Sequence, residues 1–109
     1  MFVFDWRDMI REIAEDIENS VPRGEIAAAL MNTLVSVAAK ITKKISDETG
    51  ICTIALSGGS FQNMYILLRL DKKLTDMGYT VLTHRRVSCN DEGLCLGQTA
   101  IAARLAAQQ

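Results

Sequence analysis

The stretch Ile51-Cys-Thr-Ile-Ala-Leu-Ser-Gly-Gly-Ser-Phe-Gln-Asn63 constrains this chain more than any other. A short apolar run rich in β-branched residues ends at Leu56, Ser57-Gly58-Gly59-Ser60 follows at once, and helical spacing begins near Phe61. That order predicts strand, glycine turn, helix. Glycines carry no Cβ, and the first turn of a helix has unpaired N–H groups, so such a unit lets backbone approach a phosphate or ribose. On residue chemistry alone a second explanation stands beside it, since βα turns also use Gly-Gly for geometry only.

A second strand is expected over Tyr79-Thr-Val-Leu-Thr83, after a helix marked by Met64, Leu67, Leu68, Leu70 and Leu74 and stopped at Gly78. Strand, helix, strand within this compass is a βαβ unit with parallel strands and a right-handed crossover. Ligands of such sheets gather beyond the carboxyl ends of the strands. The two loops there are Ser57 to Asn63 and His84 to Asp91. In the second loop, Asn90 or Asp91 is expected to cap a last helix carrying Leu94, Leu96, Ala100, Ile101, Ala103 and Leu105, with Gly97 small enough for close contact. An aspartate at a strand's carboxyl end can also hold a divalent metal. His84, alone in its loop, reads as a polar surface residue rather than a general base.

Upstream, Asp5 is the expected N-cap of a first helix whose apolar stripe runs through Trp6, Met9, Ile10, Ile13, Ala14 and Ile17. Asn19 to Gly24 is a break that contains the only proline, Pro22. A long helix follows from Glu25 to about Asp47, with Lys40, Lys43 and Lys44 near its end and Gly50 as its stop.

Composition narrows the function classes. The 109 residues carry a formal net charge of -1, which leaves no basic face for nucleic acid. Three cysteines without a C-x-x-C spacing argue against a zinc site or a disulfide framework, and fit a reducing compartment. Cys52, in the apolar strand, is expected in the core. No uninterrupted apolar run approaches the roughly 20 residues of a membrane span, and the N-terminus lacks the pattern of a signal peptide. A cytoplasmic protein, without membrane or nucleic-acid partners, is expected.

Taken together, Leu56-Ser-Gly-Gly-Ser-Phe-Gln-Asn63, Thr83-His-Arg-Arg-Val87 and Asn90-Asp-Glu-Gly-Leu-Cys-Leu-Gly-Gln98 resemble the C-terminal end of the HypF family of carbamoyltransferases. The resemblance continues upstream through Val21-Pro22 and Glu25-Ile26-Ala27 to Asn32, and so covers nearly the whole chain. A more distant similarity is to the Kae/TsaD threonylcarbamoyl-transferring family. The resemblance implies a helix-rich α/β fragment of an actin-like ATPase (Kae-like) lobe with a small parallel βαβ core. Residues 1–20 would form an N-terminal helix, 21–50 a long helix, and 51–109 the nucleotide-site half.

The resemblance further implies an enzyme that uses carbamoyl phosphate and ATP, forms a carbamoyl-adenylate, and delivers the carbamoyl group to a HypE-like acceptor during nickel–iron hydrogenase maturation. By the same resemblance, Ser57, Gly58, Gly59, Ser60 and Asn63 contact ATP or the adenylate, and Asp91 supplies one ligand to a divalent metal of the magnesium or iron/zinc type. Three residues depart from the family pattern. Leu30-Met31 replaces a Phe-His, Ser60 replaces a small apolar residue, and Glu92 replaces a glycine. The family's metal-binding histidines and other phosphate loop have no counterpart in a chain with one histidine. The chain is therefore expected to be a terminal fragment, excised or truncated, inactive alone, self-associating, and completed by the other lobe of its parent. The alternative is a free-standing, non-catalytic assembly module.

Overall fold

The computed structural model describes residues 3–108; residues 1, 2 and 109, at the ends of the predicted segments 1–20 and 51–109, lie outside the described residues. The chain divides into two compact units, Met1–Ile51 and Cys52–Gln109.

The first unit holds α1 (Arg7–Glu18) and α2 (Arg23–Thr49), which touch each other. Helix α1 has Trp6 as its N-cap and so begins one residue later than a cap at Asp5 would place it, yet Asp5 still accepts from the Arg7 amide at 3.0 Å. The Arg7 guanidinium also binds this carboxylate, and together these bonds hold Asp5 below its ordinary value of 3.8. At the other end, Ser20 sits in the left-handed region at φ 58. The Ser20 amide donates to Ile17 and the Val21 amide to Asp16, so the last carbonyls of α1 are satisfied by a Schellman turn.

Helix α2 stops as expected at Gly50, whose φ of 73 suits a residue without Cβ and whose amide donates to Ser46 at 2.8 Å. Its buried residues Val35, Ala39 and Ser46 fall on one stripe. By length and composition alone, α2 is long and apolar enough to cross a membrane, which corrects the expectation drawn from uninterrupted runs. Alanines keep the mean high where single polar residues break every run; the core helices of soluble proteins pass the same test.

The second unit is the predicted βαβα. Strands β1 (Thr53–Leu56) and β2 (Thr80–Thr83) pair in parallel, with Thr53 opposite Thr80 and Leu56 opposite Thr83. Between them lies α3 (Met64–Asp76), packed on β2. Leu56, Leu70 and Leu74 are the buried side chains, and Leu74 is fully enclosed. Burying a leucine completely contributes roughly 1.5–3 kcal/mol. A second Schellman turn ends α3, with Gly78 at φ 91 donating to Thr75 and Tyr79 to Leu74.

The last helix is α4 (Leu94–Ala106), which buries none of its residues. Gly97, expected in close contact, has nothing within 4 Å of an added Cβ. Cys52 is likewise exposed rather than in the core, because it precedes the first paired residue, and its carbonyl accepts from Thr80 at 2.9 Å.

Candidate functional site

The register of the two strands sets the site. Leu56 faces Thr83 in the last rung, so the next residues outward, Ser57 and His84, leave the sheet side by side. His84 Nε2 lies 2.8 Å from Ser57 Oγ, a hydrogen bond between residues 27 positions apart in sequence. The imidazole expected to stand alone at the surface is therefore exposed but partnered.

One residue further on, Gly58 takes φ 109 and ψ 160, backbone that is essentially restricted to glycine. Its amide donates to the Cys89 carbonyl at 2.8 Å, which ties the glycine turn to the loop after β2. Gly59 then opens a short 3-10 turn, Gly59–Gln62, ahead of α3. The helix expected near Phe61 thus starts at Met64, and Asn63 is its N-cap. Asn63 Oδ1 accepts from the amides of Tyr65 at 3.0 Å and Ile66 at 3.4 Å. Ser57, Gly58, Gly59, Ser60 and Asn63 are all exposed along this turn.

In the second loop neither Asn90 nor Asp91 caps α4, whose N-cap is Gly93 without a side-chain bond, because the 3-10 turn Asp91–Gly93 intervenes and Asn90 caps that turn instead. Asn90 Oδ1 accepts from the Glu92 amide at 3.0 Å and from the Ser88 hydroxyl at 2.6 Å. Asp91 begins the following turn, Asp91–Gly93, with its carboxylate exposed. Gly93 is required by space, since a Cβ there would stand 2.5 Å from the Ser88 carbonyl oxygen.

Between this loop and the start of α4 lies a cleft of about 310 Å³, lined by Ser57, His84, Ser88, Cys89, Asn90 and Gln98 among others. A neighbouring cleft of about 240 Å³ shares His84 and Cys89 and runs towards Phe61 and Met64. A roomier depression, about 560 Å³, lies away from both loops along Tyr65, Leu68, Arg69 and Lys72. It is walled by α3 alone and carries no convergent polar group from a second element, so the loop clefts are the better candidate site.

Among the described residues, no three His, Cys, Asp or Glu side chains stand together. A hard divalent ion takes six or more oxygen ligands. Asp91, even with Glu92 beside it, does not fit a metal unless other ligands come from elsewhere.

Comparison with known proteins decides the family. Residues 1–98 match the family model described as carbamoyltransferase, Kae1-like domain, second subdomain. The chain belongs to the HypF carbamoyltransferase family. It is 35% identical over 105 residues to carbamoyltransferase HypF of Synechocystis sp., covering 96% of this chain and 13% of that protein. It is 36% identical to HypF2 of Cupriavidus necator, over 78% of this chain and 10% of that one. Among solved structures it is similar to full-length HypF in its phosphate- and nucleotide-bound form, with a TM-score of 0.82 and 42% identity over 88% of this chain and 13% of that chain. The chain thus spans about an eighth of the HypF proteins it matches, and the helix-rich α/β, Kae1-like character read from its sequence holds.

The contact that the sequence did not reveal is the one between Ser57 and His84. Its signal was the register, because Ser57 and His84 each come directly after a strand of equal length.

Proposed function

We propose that this chain forms one wall of the nucleotide site of a HypF-type carbamoyltransferase. The observation that carries this reading is the Gly58 to Cys89 hydrogen bond, which closes the glycine turn and the Asn90–Gly93 loop into one mouth beyond the strands' carboxyl ends. The similarity to a HypF solved with phosphate and nucleotide bound supports the same ligand class here.

In this reading Ser57, Gly58, Gly59, Ser60 and Asn63 line the path of ATP or a carbamoyl-adenylate, with Asn63 also holding the start of α3. Asp91 contributes one carboxylate to a divalent metal whose other ligands belong to the rest of the parent protein. The carbamoyl group passes onward to a HypE-like acceptor in the cytoplasm, in the maturation of nickel–iron hydrogenases. The isolated chain, holding one wall only, binds but does not turn over. Calorimetric titration with ATP and magnesium tests this. Saturable binding that is lost in a folded Gly58→Val variant supports the half-site, and binding that survives the substitution refutes it.

A second reading is favoured by one observation, the exposed Leu94, Leu96, Ile101 and Leu105 of α4. Large exposed apolar side chains on one helix suit an assembly module that docks a protein partner.

A further inference from the structure

We infer that Ser57 and His84 form a proton-responsive phosphate subsite, in which the imidazole sets whether the Ser57 hydroxyl meets the ligand as a donor. This rests on the nucleotide half-site proposed above and adds His84 to it as a positioning residue.

The geometry comes from the sheet. Parallel pairing brings the first residue after each strand to the same edge, and Nε2 and Oγ meet there at 2.8 Å. The Gly58 amide is engaged by the Cys89 carbonyl, and the Ser57 hydroxyl is a side-chain donor next to it in the chain.

Phosphate oxygens only accept hydrogen bonds, so the direction of the Ser57–His84 bond matters. In the neutral ring's Nδ1–H tautomer, which the subsite uses, Nε2 is unprotonated, and the Ser57 hydroxyl donates to it and presents only lone pairs outward. With both ring nitrogens protonated, Nε2–H donates to Ser57 Oγ instead. The hydroxyl hydrogen is then released to turn towards a phosphate, and the imidazolium adds a positive charge beside it.

The surroundings favour an anion. His84 lines three clefts, and among the described residues Cys89 is the only other titratable side chain lining any of these three, and no carboxylate does so. Arg85 and Arg86 follow directly in the same loop and are exposed. Asp91 and Glu92, the nearest acids of the second loop, are exposed and outside all three linings. Among the described residues, protonation of the ring would thus place the sole formal positive charge on the walls of these clefts.

The chain has one histidine, so its imidazole nitrogen signals are assigned without ambiguity. Titrate the chain with magnesium-ATP and, separately, with adenosine at about pH 8 and about pH 5.5, which bracket imidazole titration, and repeat with His84→Gln and Ser57→Ala. ATP affinity is expected to rise roughly fivefold at the lower pH, because a charge-assisted bond replaces a neutral one. Adenosine should show no such gain, His84→Gln should flatten the ATP response, and Ser57→Ala should move the imidazole nitrogen shifts. Protonation of ATP itself is common to all variants and cancels in the comparison. An ATP response equal in wild type and His84→Gln overturns the subsite while leaving the half-site standing, as do imidazole signals indifferent to Ser57→Ala. Failure of ATP to bind at either pH, with the imidazole still responding to Ser57→Ala, refutes the half-site and the subsite with it.

Discussion

The Gly58 amide donates to the carbonyl of Cys89 at 2.8 Å, and this bond joins two loops that the sequence separates by some thirty residues. It depends on a backbone conformation at φ 109 and ψ 160 that side chains resist. An added Cβ at Gly58 or Gly59 would meet nothing within 4 Å, so space does not distinguish the two glycines. Conformation does. Gly58→Ala is expected to cost about 1–3 kcal/mol, whereas Gly59→Ala should be nearly neutral. Urea unfolding of both variants checks this, and equal midpoints would contradict it.

Gly93 and Gly97 make the opposite pair, distinguished by space. At Gly93 a Cβ would stand 2.5 Å from a backbone oxygen that cannot move aside cheaply. Gly93→Ala should therefore destabilise by about 1–3 kcal/mol and disturb the amides of residues 88–93. Gly97 lies inside α4 with open space around it, so Gly97→Ala should stabilise that helix by about 0.5–1 kcal/mol. Thermal melts of the two variants should move in opposite directions.

Asn63 carries a structural duty that can be separated from ligand contact. Its Oδ1 caps α3, so Asn63→Ala should cost about 1 kcal/mol. Asn63→Asp keeps an acceptor at the helix N-terminus and should retain most of the stability. If Asn63 also meets the nucleotide, Asn63→Asp weakens ATP binding while melting normally. Unchanged affinity would leave the residue as a cap alone.

Much of this was legible in the residues. The β-branched run, the glycine stops at Gly50 and Gly78 and the long apolar period of α2 each express a strong local preference, and the observed elements lie within a few residues of those expected. What escaped depended on tertiary pairing. The start of α3 moved from Phe61 to Met64 because a 3-10 turn intervenes and Asn63 caps the helix, a choice local spacing does not encode. His84 read as solitary because its partner is 27 residues away and is brought near only by strand register. Cys52 is exposed because its strand begins pairing one residue later.

Self-association is predicted from the surface rather than the site. The sheet has two strands, so each keeps one unpaired edge, and Ile101 of α4 is 64% exposed. Unpaired edges and apolar helical side chains both recruit neighbours. Light scattering after size exclusion should show species larger than 12.0 kDa, reduced by Ile101→Glu. A monomer that persists at high concentration would contradict this.

The most direct test of the half-site is a map of backbone amide shifts during titration of the folded chain with magnesium-ATP. Saturable changes confined to residues 57–63 and 84–93 are the predicted result. No change, or changes centred on Tyr65, Arg69 and Lys72 along α3, would place the nucleotide elsewhere and contradict the account.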